Sequence, residues 1–130
     1  MTLCLDTSIL IDLERKNPKT LNSIKEQIIF HPKPAKIAFI SYFEMLYGIE
    51  NKNVKNKEKA ASFLEEFEVL NTSKETAKIL SSLKRKYEKK GLIFSLSDLL
   101  IASQAIENNL TLITKDKDFE KIEELQKIVL

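Results

Sequence analysis

At 130 residues, with 43% hydrophobic and 31% charged side chains, the chain is long enough for one core and too apolar to stay disordered. Two Gly and three Pro are few for an all-β protein, so a single helix-rich domain over residues 1–130 is expected. Cys4 is the one cysteine and His31 the one histidine, which excludes an internal disulfide framework and a structural zinc site, while a net charge of +2 neither demands nor excludes a nucleic-acid partner.

The apolar start Thr2 to Leu5 reads as a strand that passes through Asp6-Thr7-Ser8 into a helix over Ile9 to Glu14. Asn17-Pro18 opens a second helix with Leu21, Ile24, Ile28 and Ile29 on one stripe, closed by His31-Pro32-Lys33-Pro34. Lys36 to Ile40 is the next strand candidate. Ser41 begins a helix to about Glu50, residues 51–56 interrupt it, and Ala60, Phe63, Leu64 and Phe67 mark a further helical stripe. Val69-Leu70 is a short strand. Ser73 caps a long helix with Ala77, Leu80, Leu83 and Tyr87 inward, and Gly91 stops it. From Ser97 to Asn108 apolar residues cover most of the helix circumference, as expected of a helix buried on several sides. Leu110 to Ile113 is a strand, Thr114 to Phe119 turns into a short acidic helix, and Ile128 to Leu130 is the last strand candidate. Apolar strands separated by helices predict an α/β fold of three layers, a central parallel sheet of about 4–5 strands with helices on both faces. No apolar run approaches the ~20 residues of a membrane span and no basic leader precedes the first strand, so a cytoplasmic protein is expected.

Most of the fourteen Glu sit among lysines on polar helix faces. Four acids do not: Asp6, Glu44, Asp98 and Asp116 each fall at a strand end or in the first turn of a following helix. In an open parallel sheet those positions share one edge, where ligands bind. Carboxylates gathered there repel one another unless some are protonated or a cation neutralises them, and oxygen ligands without His or Cys select Mg²⁺ or Mn²⁺. Such an ion can polarise a phosphodiester and activate water against it. A capping role is open for each acid taken alone, since Ser41 to Glu44 and Ser95 to Asp98 have capping-box spacing and Asp6 or Asp116 can cap a turn. Thr7, Ser8 and Thr114 can orient a water or cap locally, and Asp118 is either a fifth acid or part of a negative first turn. Two basic clusters, Lys52, Lys55, Lys57, Lys59 and Lys84, Arg85, Lys86, Lys89, Lys90, are solvated helix faces or phosphate contacts.

Four segments taken together, Leu5-Asp6-Thr7-Ser8-Ile9-Leu10-Ile11-Asp12, Glu44 with Leu46-Tyr47-Gly48-Ile49, Ser97-Asp98-Leu99-Leu100-Ile101-Ala102-Ser103 and Leu112-Ile113-Thr114-Lys115-Asp116-Lys117-Asp118-Phe119, resemble the PIN-domain family, particularly VapC-type toxin ribonucleases. The resemblance spans nearly the whole chain in order. It implies a PIN-like fold, a Mg²⁺- or Mn²⁺-dependent endoribonuclease acting on RNA, a homodimer and a cognate VapB-type antitoxin. It also implies that Asp6 and Asp98 anchor the metal, with Glu44 and Asp116 completing the catalytic and metal-binding set. Relatives commonly carry Asn at the Asp116 position and an Asp-Phe pair one residue farther along, so either Asp116 or Asp118 supplies the outermost acid. A housekeeping PIN nuclease shares these residues. Two other classes remain: a Mg²⁺-dependent phosphatase with an Asp nucleophile, for which Asp6-Thr7-Ser8 lacks a second Asp two residues later, and a non-catalytic interaction module using Tyr42, Phe43, Met45 and Tyr47.

Overall fold

Strand β1 (Leu3–Leu5) is buried along its whole length because it pairs in parallel on both sides, with β2 (Lys36–Ile37) and with β4 (Thr111–Thr114). The strand β3 (Glu68–Val69) extends the sheet beyond β2, and β5 (Gln126–Val129) extends it beyond β4, giving the order β3-β2-β1-β4-β5 with every pairing parallel. A computed structural model describes residues 2–130, apart from the side chains of Val54 and Lys55; Met1 and the side chain of Lys55 in the first lysine cluster lie outside the described residues.

Side-chain alternation along the strands divides the core into two layers. Leu3, Leu5, Ile37 and Ile113 face one side, where they meet Ile9 and Leu10 of α1 (Thr7–Glu14), Ile24 of α2 (Pro18–Phe30), Met45 and Ile49 of α3 (Phe39–Ile49), and Ala60 and Leu64 of α4 (Val54–Leu64). Cys4 and Leu112 face the other, against Leu83 and Tyr87 of α5 (Lys74–Lys89), Leu99, Ile101, Ala102 and Ala105 of α6 (Leu96–Glu107), and Phe119 of a 3-10 turn over Lys117–Lys121. The three-layer parallel α/β architecture expected from the sequence is therefore the one found. Among the described residues no helix is long and apolar enough to cross a membrane.

Local chemistry explains most boundaries. Asn17 caps α2 by accepting from the N–H groups of Lys19 and Thr20, with Pro18 at the first helical position. Ser73 and Thr76 form a reciprocal capping box for α5, and Gly91, at φ +76°, takes the left-handed turn after its last residue.

Several sequence expectations need correction. The second strand ends at Ile37 because α3 already begins at Phe39, so Phe39 and Ile40 are helical and Ser41 is the helix's third residue rather than its cap. The cap is Ala38, which offers no side-chain acceptor; Gln104 of α6 replaces it, its Oε1 accepting from the Phe39 N–H at 2.9 Å while its Nε2 donates to Leu70 O. Asn53 caps α4 through the N–H of Asn56, so the interruption is shorter than residues 51–56, and Phe67 lies past the helix end. The third strand is shifted to Glu68–Val69 and the last to Gln126–Val129. Ile28 and Ile29 lie on the predicted inward stripe of α2 yet are exposed. On α5 Ala77 is exposed and Thr76 is buried in its place, because Thr76 both closes the capping box and donates to Glu107.

Candidate active site

The chain leaves β1 toward β2 and β3 on one side and returns to β4 and β5 on the other, so the strand order reverses beside β1, and in open parallel sheets the carboxyl ends of the strands at such a reversal are where a ligand crevice forms. Asp6 is the first residue past β1 and caps α1, Thr114 is the last residue of β4, and Asp116 caps the 3-10 turn. Glu44 comes from α3, which follows β2, and Asp98 from the first turn of α6. α1 and α3 follow β1 and β2 and Asp116 follows β4, while α6, reached through α5, brings its first turn near enough for Asp98 to feel Asp6 and Asp116.

Asp6 is 5% exposed and held by three donors. Its Oδ1 accepts from the Thr7 N–H at 2.8 Å, and its Oδ2 accepts from Ser8 Oγ at 3.0 Å and Thr114 Oγ1 at 2.6 Å. Thr114 Oγ1 accepts in turn from the Asp116 N–H at 3.0 Å, and Asp116 Oδ1 accepts from the Asp118 N–H at 2.9 Å. A chain of hydrogen bonds thus runs from β1 through β4 to the turn. Thr7 joins this chain to the other half of the crevice. Its hydroxyl donates to Glu44 Oε1 at 2.8 Å and lies 2.9 Å from Ser41 Oγ, and Ser97 Oγ donates to the same Glu44 oxygen at 3.3 Å.

Asp98 is half-buried, and its carboxyl is pushed up to about 6, first by loss of solvation, then by the negative charge of Asp116, with Asp6 and Asp118 adding to it and a hydrogen bond from Ser95 opposing. The charges of three other acids are thus felt at Asp98. Asp118 is exposed and paired with Lys121 at 3.5 Å, so it contributes charge from the rim.

The capping roles are found for two of the acids' segments: Asp6 caps α1, and Ser95 caps α6 through the Asp98 N–H at 3.1 Å. The Ser41–Glu44 capping box is the exception, since both side chains face Thr7 instead. Ser97 carried no signal of its own, because its partner Glu44 lies 53 residues away. Of the basic clusters, Lys52 pairs with Glu14, Lys57 with Glu50, Lys84 with Glu88, Lys86 with Glu123 and Glu124, and Lys90 with Glu123. Much of their charge is therefore matched locally, as on a solvated face.

Among the described residues no three Asp, Glu, His or Cys side chains stand close enough to enclose one ion. The donors nonetheless fit a hard divalent cation, because all are oxygens, negative charge exceeds local compensation at Asp98, and Mg²⁺ typically takes one or two carboxylates and keeps its waters.

The fold and site define an α/β protein with an acidic, oxygen-only crevice at the switch point of its sheet. The PIN domain family model matches residues 3–125, and the chain belongs to the PIN domain family. Ribonuclease VapC2 of Rickettsia felis is 33% identical over 128 residues, covering 96% of this chain and 95% of the relative. Among solved structures, VapBC2 from Rickettsia felis bound to a DNA fragment from their promoter superposes with a TM-score of 0.85 at 30% identity, covering 99% of this chain and 98% of that chain. VapBC-1 from nontypeable Haemophilus influenzae gives a TM-score of 0.84 at 28% identity over the same shares.

Proposed function

We propose that this protein is a divalent-metal-dependent endoribonuclease and the toxin of a VapBC-type toxin–antitoxin pair. The observation that carries the reading is the hydrogen-bond network in which Thr7 and Thr114 link Asp6, Glu44 and the Asp116 backbone, with Asp98 near enough to feel the charges of Asp116 and Asp6. Similarity to a ribonuclease over nearly the whole chain supports RNA as substrate, and similarity to VapBC complexes supports a VapB-type antitoxin as partner.

In this reading Asp6 and Asp98 are the main anchors for Mg²⁺ or Mn²⁺, with Glu44 and Asp116 beside them. When bound, the ion supplies charge neutralisation and Lewis acidity at a phosphodiester. The chain's own residues do the positioning. Three donors fix the Asp6 carboxylate and leave one lone pair, on Oδ1, for a cation. Thr7 and Ser97 hold one Glu44 oxygen, leaving Oε2 to accept a proton from an attacking water. Asp116 rather than Asp118 is the outermost acid, being the larger charge influence on Asp98 and hydrogen-bonded into the relay, whereas Asp118 pairs with Lys121. The absence of a second Asp two residues after Asp6 disfavours Asp6 as a phosphatase nucleophile. A homodimer would cover Phe39, Phe43, Leu46 and Tyr47, which form one exposed apolar face of α3.

The test is cleavage of a mixed structured-RNA pool by wild type, Asp6→Asn and Asp98→Asn, each with Mg²⁺, Mn²⁺ or EDTA. Discrete fragments are expected from wild type with metal alone. Equal cleavage by folded Asp98→Asn would remove the crevice from the chemistry.

A further inference from the structure

Lys115 lies between Thr114 and Asp116 in the chain, beside the crevice. A lysine carries its charge on a flexible four-carbon stem, so an ammonium at this place is within reach of carboxylates that lack a compensating cation. It goes elsewhere. Lys115 Nζ lies 2.6 Å from Asp12 Oδ2 on α1, its only ion pair among the described residues. The same oxygen accepts from Thr20 Oγ1 of α2 at 2.6 Å, and the Asp12 side chain is 13% exposed against 43% for Lys115. The acceptor is therefore built into two helices, while the donor is the more exposed partner. Lys115 holds the Asp12 carboxyl below the usual carboxylate range, with Thr20 adding to the effect. A partly exposed pair of this kind contributes little to folding, so its consequence belongs to the site beside it.

We propose that Asp12 is a positioning residue that holds the Lys115 ammonium away from the acids and keeps the crevice open to a divalent cation. The inference rests on the metal-dependent reading above. Without Asp12, the ammonium turns to Asp116 and its neighbours and competes with the ion. The Lys115 backbone stays where it is, since its N–H rests on Ser8 Oγ at 3.4 Å and both neighbouring residues are tied into the Asp6 relay. Only the side chain changes partners.

The experiment is Mn²⁺ binding, followed by the loss of the free-ion resonance, to wild type, Asp12→Asn, Lys115→Gln and the double variant. Asp12→Asn should bind about fivefold more weakly, the repulsion expected between one positive charge and a divalent ion roughly 8 Å away in water-like surroundings. Lys115→Gln alone should change the affinity less than about twofold, and the double variant should return to the wild-type value, a non-additive pattern. Asp12→Glu, which keeps the charge, should bind as wild type does. Asn preserves an acceptor for Thr20; should Asp12→Asn not fold, Asp12→Ser carries the same expectation. An Asp12→Asn affinity equal to wild type, or a double variant as weak as the single one, overturns the proposal. So does an additive cycle, in which Lys115→Gln strengthens binding as much as Asp12→Asn weakens it, because that is a general field effect. Failure of wild type to bind Mn²⁺, or equal binding by Asp98→Asn, overturns the metal reading itself and this inference with it.

Discussion

Asp98→Asn should make the metal-free protein more stable at neutral pH, although it removes a proposed metal anchor. The Asp98 carboxyl is pushed from its ordinary 3.8 up to about 6 by burial and by Asp116, with Asp6 and Asp118 contributing. A gap of about 2 units at 1.36 kcal/mol each sets a ceiling of ~3 kcal/mol on the cost of keeping Asp98 ionised in the fold. The group is half-buried, and solvent screening brings this to about 1.5 kcal/mol. The sign follows from proton linkage. The folded state holds this proton more tightly than the unfolded chain, so below pH 3.8 both states are neutral and there is no penalty. Stability is then lost as pH rises from 3.8 to about 6, above which the full cost applies. Asn has nearly the same shape and no charge, and the cap of α6 uses the backbone N–H of residue 98, which it keeps. Urea denaturation at pH 4, 5, 6 and 7.5 should show a gain of about 1.5 kcal/mol for Asp98→Asn at the highest pH that closes toward pH 4, equivalent to ~5 °C in Tm for a chain of this size. Mn²⁺ should stabilise wild type and leave the variant unmoved, erasing the difference. An Asn variant no more stable than wild type at pH 7.5, or a gap that persists at pH 4, would refute the raised carboxyl that burial, and after it the charge of Asp116, give Asp98.

Thr114→Val deletes the 2.6 Å bond to Asp6 and the acceptor of the Asp116 N–H, both buried or half-buried; about 1–3 kcal/mol of stability should be lost in urea titrations, with cleavage down at least tenfold, and Thr114→Ser should recover both. Gly91→Ala places a side chain at φ +76° with no atom within 4 Å of the new Cβ, so the cost is backbone strain alone, about 1 kcal/mol in the same titration with cleavage unchanged. Phe43→Glu with Tyr47→Glu should convert a dimer to a monomer in sedimentation velocity, since both side chains are exposed on one face of α3 and stack on each other at 6.2 Å; a dimer that survives both changes would move the interface elsewhere.

The readable parts of the chain are those whose causes are local. Asn17-Pro18, Ser73 and Gly91 mark helix ends by capping chemistry that needs no neighbour, and the apolar triplet Leu3-Cys4-Leu5 belongs in the middle of a sheet wherever that sheet lies. The short strands β2 and β3 were blurred because two-residue strands are defined by their partners. Ser41 reads as a cap in the sequence because nothing nearby reveals that Gln104, 65 residues on from Phe39, supplies the acceptor for that helix. Ile28 and Ile29 fit a buried stripe by period alone, yet nothing in the described chain packs over them. At the site the acids stand out by falling at strand ends. The hydroxyls that bind them do so across 108 residues for Thr114 and 53 for Ser97, and the Asp12–Lys115 pair spans 103, distances over which no sequence pattern carries information.

The acidic site is tested most sharply by one Mn²⁺ titration of wild type in which ion binding and RNA cleavage are followed on the same sample, with Asp98→Asn in parallel. Cleavage that rises and saturates together with bound ion in wild type, and neither signal in the variant, is the expected result. Cleavage that persists in EDTA, or that continues undiminished in Asp98→Asn, would contradict the assignment of the acidic crevice as the place where RNA is cut.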